Sequence, residues 1–199
     1  MVQNSDETPR RRGRPRGFDP GEALKAASER FRTHGYAGTS LDDLVDATGL
    51  QRPSLYAAFG DKRAIYLATL DRTIERSRRG FDALIASDLS LRDSLRAMFR
   101  TIIDGYLTGE SGPSGCIMVS TSATSAVDDA EVRARLAAFL KLEDDKIEEL
   151  LVSRGDPRAA IHARLATAVI HSLSVRARAG ATSEELDALA AECIALIAG

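Results

Sequence analysis

A chain of 199 residues is long enough to bury a sizeable core as one or two small domains, and its low aromatic content of 5% favours helices over sheets. Two cysteines exclude a disulfide scaffold, and no apolar run approaches the roughly 20 residues of a membrane span, so a soluble cytoplasmic protein is expected. The formal charge of -2 hides an asymmetry: residues 8–63 carry 11 basic and 7 acidic side chains, whereas residues 64–199 carry 16 and 20. The basic end is where a polyanion such as DNA is expected to bind.

Residues 1–17 lack periodicity and read as a disordered basic arm, with Arg10, Arg11, Arg12, Arg14 and Arg16 crowded around Gly13 and Pro15. Such an arm either solubilises the chain or tracks a DNA groove, and Arg14 and Arg16 are its candidate contacts. A first helix opens with Asp19 as cap and Pro20 at its first position, buries Leu24, Ala27 and Phe31, and ends at Gly35. Ser40, with Asp43 three places on, caps a short second helix whose Leu41, Leu44 and Val45 fall at i, i+3 and i+4. Gly49 breaks the chain, because a residue without Cβ can take the left-handed conformation that ends one helix and starts another. A third helix is expected from about Gln51 to Phe59, with Leu55 and Phe59 inward and Arg52, Ser54 and Ala58 outward. Two short helices across a glycine turn make a helix-turn-helix, a shape that fits the major groove.

The stretches FDPGEALKAASERF, GYAGTSLDDLVDATGL and SLYAAFGDK carry a resemblance to the TetR family of bacterial transcriptional regulators. The family's S/T-LY-x-x-F-x-x-K motif is matched without a gap by Ser54, Leu55, Tyr56, Phe59 and Lys62. The likeness covers about the first third of the chain. It implies an all-α fold of about nine helices: an N-terminal three-helix DNA-binding domain over 18–63 and a C-terminal effector-binding and dimerisation domain over 64–199. It further implies that Pro53 and Ser54 touch a thymine methyl and base edges, and that the Tyr56 hydroxyl goes to phosphate. From its own chemistry, Arg52 is either a bidentate reader of guanine or a phosphate contact. Lys62 is expected on phosphate, Thr39 and Ser40 are caps that can also bond phosphate, and Gln51 and Ala57 edge the reading face. Asp42, Asp43 and Asp46 are expected to point away from the duplex.

A long fourth helix should run from about Asp61 into the eighties and link the two domains. Five more follow. Ser90 caps one whose Leu91, Leu95, Met98, Phe99, Ile102 and Tyr106 form a stripe; the break GESGPSG leads into a short segment of small residues, CIMVSTSAT; Asp128 and Glu131 start a long one; Asp156 and Pro157 start the next; and Thr182 with Glu185 boxes the last. The final two helices are apolar on more than one side, which predicts a second partner. A four-helix homodimer interface through Leu165, Val169, Leu173, Leu186, Leu189 and Ile197 is expected, in agreement with what the family implies.

Candidate walls of a small-molecule effector pocket are Met98, Phe99, Ile102, Tyr106, Cys116, Met118 and Phe139, which equally suit plain core, together with Glu143. Glu143 interrupts an apolar stripe and is expected to reach solvent. Cys116, after Gly115, reads either as a small buried hydrophobe or as a thiol activated by a helix N-terminus. His34, His162 and His171 have no metal-site spacing, and no nucleophile–base or phosphate-loop motif is present, so neither a cofactor, a metal nor an enzyme is expected. The expected function is a homodimeric repressor, released from a palindromic double-stranded DNA operator by a small-molecule effector. The alternatives are a regulator switched by oxidation or alkylation of Cys116 and a sequence-nonspecific DNA-architectural protein.

Overall fold

The computed structural model describes residues 18–199, so the basic arm with Arg14 and Arg16 lies outside the described residues. Those described form nine α-helices and no strand: α1 (Pro20–His34), α2 (Leu41–Thr48), α3 (Arg52–Phe59), α4 (Lys62–Ile85), α5 (Leu91–Leu107), α6 (Ala123–Ser125), α7 (Ala130–Ser153), α8 (Ala159–Arg178) and α9 (Ser183–Ala198). A π-helical turn, Met118–Ser122, runs directly into α6.

Capping fixes most of the starts. Asp19 accepts from Gly21 N–H ahead of Pro20, Asp61 from Ala64 N–H, and both Ser40 and Thr182 close reciprocal boxes with the acid three residues on. Each such cap satisfies donors that the helix leaves orphaned, at about 1 kcal/mol apiece. Two starts differ from expectation. Asp129 rather than Asp128 caps α7, because its carboxylate accepts from both Glu131 and Val132 N–H. Helix α8 begins only at Ala159, since Asp156 closes a turn with Arg158 N–H at 2.9 Å before the helix sets in.

Helix α1 packs on α2 and α4, α4 runs along α7, α7 on α8, and α5 on α8 and α9. Phe31, Leu44, Leu55, Ile65 and Tyr66 make the N-terminal part of a core that continues through Leu95, Phe99, Phe139, Ile147 and Ile170. The three N-terminal helices are tied to the remainder by arginines. Arg32 donates to the carbonyls of Gly105 at 2.8 Å and Thr108 at the end of α5. Arg178, the last residue of α8, donates to Arg32 O at 2.7 Å and Thr33 O at 2.9 Å at the end of α1. Each guanidinium therefore caps the negative end of another helix. On the other side, Arg63 at the start of α4 grips Asp129 at 2.7 and 2.9 Å, and the pairing holds the Asp129 carboxyl down at about 2.

Candidate nucleic-acid interface

The reading surface is built from the inside out. Leu44, Leu50 and Leu55 are buried against Phe31 and Tyr66, and the Phe31 and Tyr66 rings meet edge to face at 4.9 Å. Gly49 sits at φ 66°, the left-handed value that turns α2 into α3 without a Cβ clash. With Leu55 inward, α3 exposes Gln51, Arg52, Pro53, Ser54, Tyr56 and Ala57, and Tyr56 keeps 44% of its surface. Ala58 is half-buried, so Ala57 and not Ala58 belongs to the outer face.

Around that face the sequence-based candidates divide. Ser40 Oγ accepts from Asp43 N–H at 3.1 Å, while Asp43 Oδ2 accepts from the Ser40 hydroxyl and from Ser40 N–H, each at 2.7 Å; the hydroxyl first and the N–H second hold the Asp43 carboxyl below its ordinary value. Ser40 stays exposed at the start of α2. Thr39 does not: it is buried and donates its hydroxyl to Gly35 O at 2.8 Å, so it ties the α1–α2 turn and is not free to reach a phosphate. Lys62, at the first turn of α4, places Nζ 4.4 Å from the centre of the Tyr36 ring, which in turn meets the Tyr66 ring at 5.0 Å with a 38° tilt. A cation resting on an aromatic face keeps its charge while losing freedom. Asp42 is not turned away from the reading face. It sits against Arg52, whose Nε and Nη2 both donate to Asp42 Oδ1 and whose guanidinium is held more firmly protonated by that bond.

The C-terminal candidates also need revision. Met98, Phe99, Met118 and Phe139 are buried, Tyr106 and Cys116 nearly so, and Ile102 is half-buried against the same core. Glu143, expected in solvent, is 4% exposed and shares a proton contact of 2.8 Å with His171 Nε2 on α8. Burial raises its pKa, and the histidine opposes that rise. The Cys116 thiol is pushed up to about 11 by burial first and the Glu143 carboxylate second, which outweighs the lowering by the N–H groups of Met118 and Val119. Of the two readings of Cys116, this burial favours the small buried hydrophobe. Gly115 at φ 64° leads into it, and a Cβ there would lie 2.5 Å from Ser174 O. His162 is likewise paired, with Asp156 at 2.7 Å.

Of the proposed interface residues, Leu173, Leu186 and Ile197 are buried in the protomer's own core, and Val169 and Leu189 are half-buried. Only Leu165 faces outward. The exposed apolar stripe of α8 is instead Ile161, Leu165, Ala168 and Val175, beside Leu196 of α9, with Ile161 at 52% and Leu196 at 69%. The two-faced character of these helices was legible; which face was which depended on the rotation of α8 against α5 and α7. Sequence reasoning missed the Glu143–His171 pair and the Arg32 and Arg178 ties. The signal for the first was a carboxylate on an apolar stripe, which burial opposite a helical histidine explains.

These features define a class: an all-helical protein carrying an exposed recognition helix on a rigid helix-turn-helix, joined to a larger helical body. Residues 23–69 match the family described as bacterial regulatory proteins, tetR family. The chain is 33% identical over 193 residues to the HTH-type transcriptional repressor ComR of Escherichia coli (strain K12), covering 93% of this chain and 91% of ComR. It is 26% identical over 179 residues to the repressor BdcR of the same organism, covering 90% and 89%. The chain belongs to the TetR family of transcriptional regulators, and these relatives are regulators, not enzymes. Among solved structures, the TetR family regulator CifR on a 26-bp operator superposes with a TM-score of 0.70 at 27% identity, over 91% of this chain and 98% of CifR. A TetR regulator from Legionella pneumophila reaches 0.80 at 14% identity over 92% and 100%, a likeness of fold. No helix among the described residues is long and apolar enough to cross a membrane.

Proposed function

We propose that the protein is a homodimeric repressor that binds a near-palindromic operator and leaves it when a small molecule binds among α5–α8. The observation that carries this reading is the exposed Gln51–Ala57 face of α3, whose Leu55 is buried in a core shared with Phe31, Leu44 and Tyr66. Arg52, Pro53 and Ser54 read bases, Gln51 edges the face, Tyr56, Ser40 and Lys62 take phosphates, and Arg14 and Arg16 of the arm add contacts along the groove. The names of ComR and BdcR as repressors, and CifR's operator complex, support the same direction.

The apolar stripe of α8 and α9 is the surface a second copy would cover, giving two α3 helices about 34–36 Å apart on successive major grooves. The region of Tyr106, Cys116, Glu143 and His171 is where an effector would find a buried carboxylate and an imidazole among apolar walls. An effector that prefers a dimer with wrongly spaced heads lowers operator affinity by the same factor as operator DNA lowers effector affinity. Arg52→Ala and Tyr56→Ala test the docking: each should remove specific gel shift while sedimentation still shows the wild-type oligomer. Unchanged operator affinity in either variant would contradict it.

A further inference from the structure

An acidic side chain beside the reading face of a DNA-binding helix calls for an explanation, since it repels the phosphates that supply most of the affinity. Asp42, in the first turn of α2, is 72% exposed in its side chain and is engaged by Arg52, the first residue of α3. The contact has a definite geometry. Arg52 gives both Nε–H, at 3.2 Å, and Nη2–H to one oxygen, Asp42 Oδ1. A guanidinium has five N–H donors in a rigid fork. Two are consumed here along the Nε–Nη2 edge, which leaves three: the other Nη2–H and one Nη1–H form the intact end-on pair, and the second Nη1–H stands beside it.

That remaining edge is the one able to meet guanine O6 and N7 with two parallel bonds. We infer that Asp42 is a positioning residue that holds Arg52 so that it reads a guanine rather than a phosphate. The inference rests on the DNA-reading role proposed for α3. Asp42 acts in two ways. It fixes the guanidinium's rotation, so the fork is already oriented when the major groove arrives, and its negative charge disfavours any docking that slides Arg52 towards the backbone. An arginine at this position without the carboxylate would be a free cation able to settle on a phosphate of any sequence. Specificity of this kind comes from penalising the wrong contact as much as from favouring the right one.

The test compares the full-length protein with Asp42→Asn, Arg52→Ala, Arg52→Lys and the Asp42→Asn/Arg52→Ala double variant. Binding is measured on a duplex selected by the wild type and on a scrambled duplex, across a salt series. Asp42→Asn should tighten scrambled-duplex binding, steepen its salt slope by about one unit, and lower the specific-to-scrambled ratio on the order of tenfold. The lost discrimination should fall on the one base pair per half-site at which Arg52→Lys is also indifferent, because lysine keeps the charge and loses the fork. In the Arg52→Ala background, Asp42→Asn should leave the ratio where Arg52→Ala alone puts it. An equal change of both affinities on Asp42→Asn, or the same gain in scrambled-duplex affinity from Asp42→Asn with and without Arg52, would overturn the inference while leaving the docking of α3 intact. If Arg52→Ala itself spares the selected duplex, the docking fails and the inference falls with it.

Discussion

Ser40 does two jobs with one hydroxyl and one N–H. Its oxygen satisfies Asp43 N–H, its own N–H is satisfied by Asp43, and the box fixes where the chain enters α2 beside the reading face. Ser40→Ala should therefore lower stability by about 1 kcal/mol, read as a shift in denaturant midpoint at constant slope, with a loss of DNA affinity beyond what the stability change explains. Cys116 gives a pH prediction. With its pKa pushed up to about 11, its thiolate fraction at pH 8 is on the order of one in a thousand, so native protein should resist iodoacetamide and react faster only as pH rises towards 11. Mass-spectrometric labelling that is already complete within minutes at pH 8 would refute the buried-thiol description.

At this scale the sequence showed the capping residues and the inward leucines clearly, because both act through neighbours three or four places away. It could not show that Glu143 is buried, since that depends on His171, 28 residues on, arriving opposite it. The same limit hid the occupation of Thr39, whose hydroxyl turns back to Gly35 instead of out to a phosphate.

Among the elements, α1 and α8 matter most for coupling. Arg178 binds the last carbonyls of α1 and Arg32 binds those of α5, so under the proposed switch a shift of α8 or α5 would be handed to the head through carbonyl–guanidinium bonds. Arg178→Ala removes bonds from a charged donor and should cost on the order of 1–3 kcal/mol, with faster amide exchange at the C-terminal end of α1 as the local sign. Unaltered exchange there would show that α1 is held by packing alone. The tie on the other side is acid-sensitive. Because pairing with Arg63 depresses the folded pKa of Asp129 to about 2 from 3.8, its contribution is full above pH 4 and lost as pH falls through about 2.

Helix existence and order were legible from periodicity and caps, down to the long α4. The π-helical turn at Met118–Ser122 was not, because its small residues carry no period and its geometry follows from packing against α7 and α8. The outward stripe of α8 makes the interface prediction concrete. Leu165→Glu, with Ile161 and Val175 as neighbours on the same face, should convert the protein to a folded monomer with weakened operator binding, as seen by sedimentation and gel shift.

Taken whole, the molecule separates its charges as it separates its tasks. The basic N-terminal third carries the exposed α3, while the acidic remainder leaves an apolar stripe of α8 uncovered, and a continuous core runs through both. Under the proposed function, neither part suffices for regulation. A head alone would bind DNA weakly, by one half-site, and a body alone would have nothing to release. The measurement that tests this division most directly is selection of bound sequences from a random double-stranded DNA pool by the purified protein, followed by gel shift at fixed salt. A homodimeric repressor predicts an enriched near-palindrome whose half-site centres lie about one helical turn apart, or a whole multiple of it. Enrichment of no site, with affinity that simply collapses as salt rises, would contradict it and leave a protein that holds DNA by charge alone.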